Sequence, residues 1–188
     1  RHGKKASVAC IGPAGEHMSL MAGICNERGR LAARSGLGAV MGSKNVKAIV
    51  VNASKNIIGS SPEIMKQVRT SLDEFAKPIT NFFRTYGTTG ITFPSAMSGD
   101  APVKNWGGVG VVDFPDVSGL TAEKAIANLD RRFGCWHCPI ACQAYLKEGA
   151  GEYKYPEGTR RPEYETQGTF GTMCLNNNPE SIAMANHI

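Results

Sequence analysis

Three cysteines within eight positions are the side chains best suited to chemistry in this sequence of 188 residues. Cys135, Cys138 and Cys142 have the spacing C-x2-C-x3-C, and Pro139 directly follows the second cysteine. Thiolates at such short spacing can converge on one face of a cubane iron–sulfur cluster. We therefore expect these three residues to bind a [4Fe-4S] cluster.

Two other interpretations of the cysteine motif remain open. Zinc could be bound with His137 or a distant residue as fourth ligand, although structural zinc sites prefer two separated pairs of ligands. The thiols could also be buried without a ligand. A cubane cluster normally takes a fourth thiolate. Spacing does not show whether Cys10, Cys25 or Cys174 supplies it. We expect this ligand to lie beyond Ile188.

A glycine-rich segment, residues 36–44, is the second candidate site. Glycines let a backbone approach a bulky ligand closely, and nearby cations such as Arg34 and Lys47 could hold phosphate or a fused heterocycle. The spacing matches neither the dinucleotide fingerprint nor the P-loop. Tight packing of the chain is the alternative reason for these glycines.

Charge and composition exclude several classes of protein. Residues 1–55 contain nine Lys or Arg against two Asp or Glu, whereas residues 56–188 contain twelve against fourteen. The basic part has no Phe, Tyr or Trp, so a phosphate-bearing small molecule suits it better than nucleic acid. Mean hydropathy is −0.22 and no apolar run approaches the roughly 18 residues of a membrane span.

Hydrophobic periodicity and capping signals predict an α+β fold. Residues 85–119 are rich in Gly and Pro, which predicts a long irregular surface segment with one short helix. A composition shift near 54–60 predicts two domains, at 1–54 and 55–188. The predicted elements are strands at 6–11 and 46–51 and helices at 17–34, at 62 to about 78, at 120–129 and from Asn178 onward.

The two ends of the sequence suggest a piece of a longer protein. The sequence begins with Arg1 and shows no signal-peptide pattern. The last predicted helix reaches Ile188 without a terminating signal.

Three stretches in one order carry a resemblance to a known family. They are residues 34–49, the cysteine motif at 135–142 and the stretch at 162–166, which reads PEYET. Together they resemble the aldehyde ferredoxin oxidoreductase family. The resemblance implies tungsten, or molybdenum, held by two pterins beside a [4Fe-4S] cluster. It also implies oxidation of aldehydes to carboxylates with ferredoxin as electron acceptor.

The resemblance implies roles for particular residues. Ala32, Ala33 and Arg34 match pterin-contacting positions, although Leu31 stands where the family has an arginine. Residues 1–54 would then be the end of a pterin-binding domain, and residues 55–188 the start of a helical domain that carries the cluster.

The same resemblance implies that Glu165 lies near the metal, where its carboxylate could position or deprotonate water. A solvated acid, or one paired with Arg160 or Arg161, is the alternative.

Two other functions remain open from the sequence. One is the related tungsten subunit that reduces aromatic acyl thioesters in benzoyl-CoA reductases. The other is a non-enzymatic zinc or iron–sulfur interaction module whose basic end binds an acidic partner. We expect the enzyme to be cytoplasmic and to have a ferredoxin or an iron–sulfur subunit as its partner. A homodimer is a possible assembly. We expect this chain alone to be inactive.

Overall fold

The computed structural model describes residues 6–26, 29–54, 61–75, 77–135 and 138–188. The chain divides into two compact units, Arg1–Ser61 and Pro62–Ile188. Each unit contains helices and a small antiparallel sheet, so the predicted α+β class is confirmed. Most of the predicted boundary segment at 54–60 lies outside the described residues.

The first unit is built around a four-stranded antiparallel sheet. Its strand order is β3-β2-β1-β4, and the predicted strands at 6–11 and 46–51 are confirmed as β1 and β4. A 3₁₀ turn at Arg34–Gly36 leads into the second helix. The elements are β1 (Ser7–Cys10), α1 (Pro13–Glu16), β2 (Ile24–Asn26), β3 (Arg30–Ala32), α2 (Leu37–Ser43) and β4 (Ala48–Val51).

The helix predicted at 17–34 is wrong, because this stretch contains the hairpin β2–β3. Gly29 has a φ of 106°, which glycine adopts without steric cost and which suits a chain reversal. Gly23 lies so near β3 that a Cβ on it would be 2.8 Å from the carbonyl oxygen of Ala32. These two glycines, which disfavour a helix, outweigh the helical spacing of the apolar residues.

Most of the glycine-rich segment at 36–44 is helix α2 and not an open loop. A Cβ on Gly38 would lie 2.6 Å from the carbonyl oxygen of Gly23, and one on Gly42 would collide with that of Gly15. The alternative interpretation, tight packing, therefore accounts for these two glycines.

The second unit is mainly helical and has one two-stranded sheet, β5-β6. Short 3₁₀ turns at Thr88–Ile91 and Ser118–Leu120 and a π-helical turn at Gly168–Thr172 connect its elements. The elements are α3 (Pro62–Phe75), α4 (Lys77–Tyr86), α5 (Thr92–Ser98), α6 (Gly110–Asp113), α7 (Ala122–Ile126), β5 (Leu129–Phe133), β6 (Gln143–Leu146), α8 (Tyr164–Gln167) and α9 (Pro179–His187).

Two helices occupy the region in which one helix was predicted at 62 to about 78. Helix α3 ends at Phe75, and Pro78 occupies the first turn of α4. A proline is tolerated there because its missing N–H would have no partner within the helix.

The segment at 85–119, predicted as a surface segment, contributes many of the core residues, although part of it, such as Trp106, is exposed. It contains α5, α6 and the 3₁₀ turns. Gly110, with a φ of +42°, allows close contact with the backbone of α5 at Ala96. The buried residues of this core are Ala96, Ala101, Val103, Phe114, Val117 and Leu120, together with Ile182 of α9.

Side-chain hydrogen bonds cap the start of two helices. The Thr121 hydroxyl oxygen accepts a hydrogen bond from the Lys124 N–H, but α7 is shorter than predicted because Leu129 begins β5. The Asn178 Oδ1 accepts from the N–H groups of Glu180 at 2.9 Å and Ser181 at 3.1 Å. In the described part of the chain, no helix has the length and apolar character needed to cross a membrane.

Candidate functional site

The hairpin β5–β6 carries all three cysteines of the motif in the loop that joins its strands. Phe133 of β5 pairs with Gln143 of β6, so the three cysteines lie between these paired residues. The rings of Phe133 and Tyr145 stack at the base of the loop, with centroids 4.4 Å apart and planes 22° from parallel. Stacked aromatic pairs of this kind stabilise neighbouring strands. The loop therefore begins and ends on a fixed base.

A hydrogen bond inside the loop connects the backbones of the first two cysteines. The N–H of Cys138 donates to the carbonyl oxygen of Cys135 at 3.0 Å. Cys135 is exposed, whereas Cys138 and Cys142 are half-buried. Trp136 and His137 lie outside the described residues.

The three thiols influence one another, but they do not form a closed ligand set. Burial raises the pKa of the Cys142 thiol, and the charges of Glu163, Cys138 and Cys135 raise it further. Within the described ranges, no three Cys, His, Asp or Glu side chains are placed to share one metal ion.

The chemistry of this donor set nevertheless suits iron, because three thiols share one short loop and repel one another as thiolates. A metal cation would offset that repulsion and replace the thiol protons. Binding of the cluster by Cys135, Cys138 and Cys142 remains a prediction.

Arg84 of helix α4 holds the middle of the cysteine loop. Its Nη2 donates to the carbonyl oxygen of Pro139 at 2.7 Å, and its Nε donates to that of Ile140 at 3.3 Å. Both acceptors lie between the second and third cysteines. A planar guanidinium with two simultaneous bonds fixes the direction of the backbone it binds.

Arg161 holds the end of the loop at Cys142. Its backbone N–H donates to the carbonyl oxygen of Ala144 in β6 at 2.9 Å, which places it beside the hairpin. Its Nη2 donates to the carbonyl oxygen of Cys142, and its Nη1 donates to that of Thr85 at 3.2 Å. Arg161 is 3% exposed, and burial lowers the pKa of its guanidinium while the charge of Cys142 raises it.

Gly87, directly after α4, makes room for the Arg161 guanidinium. A Cβ at this position would collide with Arg161 Nη2 and lie 3.0 Å from the carbonyl oxygen of Cys142. Gly87 also has a φ of +67°, which disfavours other residues. Arg84, Gly87 and Arg161 were not predicted as parts of the site, because no short spacing connects them to the cysteines. Arg84, for example, is 55 residues from Pro139.

The predicted pterin-contacting residues lie in the first unit, at and just after the end of β3. Ala32, Ala33 and Arg34 are consecutive and all exposed. The small alanine side chains leave the backbone accessible, and an exposed guanidinium can bind phosphate through two hydrogen bonds. These residues fit the requirements of a pterin, and their role remains a prediction.

Glu165 lies in the second unit, in the first turn of α8, with its side chain exposed. The start of this helix is anchored because the N–H of Tyr164 donates to the Thr88 Oγ1 at 3.0 Å. Arg161, considered from the sequence as an ion-pair partner of Glu165, instead directs its guanidinium to Cys142 and Thr85. The catalytic role of Glu165 remains a prediction.

The other cysteines lie on other elements of the chain. Cys10 and Cys25 face each other across β1 and β2 of the first unit. Cys174 is exposed, and its thiol donates to the carbonyl oxygen of Thr169 at 3.3 Å.

Comparison with known proteins gives matches along nearly the whole chain. The N-terminal domain model of aldehyde ferredoxin oxidoreductase matches residues 1–53, and the model of its domains 2 and 3 matches residues 63–188. A tungsten-containing aldehyde ferredoxin oxidoreductase of Pyrococcus furiosus is 36% identical over 98% of this chain and 30% of its own length. The corresponding protein of Thermococcus kodakarensis is 35% identical over 97% of this chain and 30% of its own length.

A more distant relative and a solved structure extend these matches. The WOR-like subunit of an aliphatic sulfonate oxidoreductase from Pyrococcus furiosus is 28% identical over 98% of this chain and 29% of its own length. The BamBC active-site complex of a benzoyl coenzyme A reductase shares the fold, with a TM-score of 0.56 and 21% identity over 97% of this chain and 32% of that one.

The aldehyde ferredoxin oxidoreductase relatives are much longer than this chain, which spans about 30% of their length. The two family models nevertheless cover almost every residue, in the order that the family has them. The chain belongs to the aldehyde ferredoxin oxidoreductase family.

Proposed function

We propose that this chain is part of an oxidoreductase that oxidises aldehydes to carboxylates and passes the electrons to ferredoxin. In this proposal the enzyme contains tungsten, or molybdenum, bound by two pterins, and a [4Fe-4S] cluster. The observation that carries the proposal is the hairpin loop with three cysteines, held by two arginines, in a chain whose relatives are named tungsten-containing oxidoreductases.

Each predicted residue has a distinct task. Cys135, Cys138 and Cys142 supply thiolates to the cluster, and the backbone at Ala32 and Ala33 contacts the pterin. Arg34 binds a pterin phosphate. A metal–pterin group held by these residues would supply the two-electron oxidation, and a cluster held by the cysteines would supply one-electron transfer.

Glu165 handles the proton of the attacking water. Formation of a carboxylate from an aldehyde requires that water add to the carbonyl carbon and lose protons. An exposed carboxylate can accept a proton from water bound next to it. Its place in the first turn of α8 fixes the position of its backbone.

Metal analysis and an activity assay of the full-length protein test this function. We expect tungsten or molybdenum, iron and sulfide in protein purified without oxygen, together with aldehyde-dependent reduction of ferredoxin and a carboxylate product. Stoichiometric zinc alone, without electron transfer, would instead support an interaction module.

The same preparation separates the two enzymatic alternatives. An aromatic acyl-thioester reductase would transfer electrons to benzoyl-CoA and would not oxidise aldehydes. The benzoyl coenzyme A reductase structure supports only the shared fold, so we prefer the aldehyde reaction, for which the relatives are named. A cytoplasmic location suits the proposed thiolate ligands, because that compartment keeps cysteines reduced.

A further inference from the structure

Two oppositely charged side chains on one short segment flank the last cysteine of the loop. Arg161 donates through Nη2 to the carbonyl oxygen of Cys142, and its charge interacts with that thiol. Glu163 accepts a hydrogen bond from Gln143 Nε2, next in sequence to Cys142, and its charge also interacts with the thiol. Both charged side chains are therefore bonded to the short stretch of chain at Cys142 and Gln143.

Burial makes the charge of Arg161 effective. Its side chain is 3% exposed, and its position is fixed by hydrogen bonds from its backbone to Ala144 and from its guanidinium to Thr85. Water screens a charge weakly in such a place, so its interaction with a neighbouring charge is several times stronger than at the surface. The space left by Gly87 keeps the guanidinium against the cysteine loop.

An iron–sulfur cluster becomes more negative by one charge when it is reduced. A fixed positive charge beside it stabilises the reduced form and raises the reduction potential, and a negative charge lowers the potential. Hydrogen bonds and charges near the sulfurs are among the features that set cluster potentials.

We propose that Arg161 raises the reduction potential of the cluster held at Cys142, and that Glu163 opposes it. This inference rests on the proposed function, because it requires a cluster in the cysteine loop. Arg161 is a positioning residue and not a ligand. It holds the backbone at Cys142 through its hydrogen bond and shifts the electron affinity of the cluster through its charge.

A redox titration of the full-length holoenzyme, followed by electron paramagnetic resonance of the reduced cluster, tests the proposal. At a given ambient potential, we expect the ratio of reduced to oxidised cluster to be about tenfold lower in R161Q. For a one-electron couple, this corresponds to a decrease of about 59 mV in the midpoint potential. R161K keeps the positive charge but not the planar guanidinium. We therefore expect its midpoint potential to be closer to that of the natural protein than the midpoint potential of R161Q is.

Arg132 provides a matched control for the loss of charge. It lies on β5, and its charge interacts with Arg161, but it is exposed. R132Q removes the same charge where solvent screens it, so we expect a smaller shift than in R161Q. Equal shifts in R132Q and R161Q would show that burial of Arg161 is unimportant and would overturn the proposal.

E163Q gives an independent test with the opposite sign, which does not depend on whether R161Q assembles its cluster. The amide keeps the size of the side chain and can bond with Gln143 after rotation. We expect a rise in midpoint potential. An unchanged or lower midpoint in E163Q, or an unchanged midpoint in a cluster-loaded R161Q, would overturn the proposal.

The outcomes also separate this inference from the proposed function. If the natural protein lacks iron, sulfide and a reduced-cluster signal, both fail together. If the natural protein has a cluster and its potential does not respond to these charges, the proposed function stands and only the inference fails.

Discussion

Gly87 and Arg161 form a close contact that fixes one end of the cysteine loop. A Cβ at position 87 would occupy the space of the Arg161 guanidinium, which bonds to the carbonyl oxygens of Cys142 and Thr85. The position of the third cysteine therefore depends on a residue that has no side chain.

Replacement of Gly87 by alanine is expected to lower the free energy of unfolding by about 2–5 kcal/mol. Strain at the φ of 67° and ψ of −167° of this residue accounts for about 1–3 kcal/mol, and overpacking against Arg161 accounts for the remainder. Gly158→Ala is the matched control, because Gly158 has a φ of +81° but a Cβ there would have no atom within 4 Å. Urea unfolding of the full-length protein should show a loss of only about 1–2 kcal/mol for the control. Equal losses would contradict the proposed contact.

Glu165 is expected to affect the chemical step more than substrate binding. Glu165→Gln removes the proton acceptor while keeping the size of the side chain, so kcat for aldehyde oxidation should fall by about 10²–10⁴-fold with little change in KM. Glu157→Gln, at another exposed position, serves as the control and should retain activity. Steady-state kinetics of the full-length enzyme would make this comparison, and an unchanged kcat in Glu165→Gln would remove the residue from the mechanism.

At the residue level, short spacing identified candidate residues but did not identify contacts between distant parts of the chain. Three thiols within one loop are recognisable from spacing, and the structure places all three in the β5–β6 loop. Pairing with Arg160 or Arg161 was the alternative considered for Glu165, but the Arg161 guanidinium donates to the carbonyl oxygens of Cys142 and Thr85. Such contacts arise from tertiary structure, which short spacing does not encode.

At the level of elements, end signals were more reliable than apolar spacing. Asn178 caps α9 as predicted. Strand β4 lies where β-branched residues are concentrated, and β1 lies in the apolar run that ends at Gly12 and Pro13. The predicted helix at 17–34 failed because Gly23 and Gly29 favour a hairpin. The loop-like composition of 85–119 concealed buried short helices, whose glycines permit close packing.

The cap of α9 gives a prediction at this level. Asn178→Ala leaves the N–H groups of Glu180 and Ser181 without the Oδ1 acceptor and should lower the free energy of unfolding by about 0.5–2 kcal/mol. Asn178→Asp keeps an acceptor at the helix N-terminus and should be nearly neutral. Thermal unfolding of the two variants compares them. A similar loss in both would mean that the cap bonds contribute little to stability.

At the scale of the whole molecule, the proposed functional residues divide between the two units. The first unit carries Ala32, Ala33 and Arg34, whereas the second carries the cysteine loop and Glu165. This division could be anticipated from the order of the motifs in the sequence. The placement of the loop could not be anticipated, because β5 and β6 were not predicted as strands. The contacts of Arg84 and Arg161 also join distant parts of the second unit.

The iron and sulfide content of the full-length protein and two cysteine variants tests most directly whether the cysteine loop binds a cluster. We expect about four irons and four sulfides per chain in the natural protein, with the spectrum of a [4Fe-4S] cluster after reduction. Cys142→Ser should lose most of its iron, whereas Cys174→Ser should keep it, because Cys174 lies outside the loop. Zinc in place of iron, or a complete cluster in Cys142→Ser, would contradict cluster binding by these three thiolates.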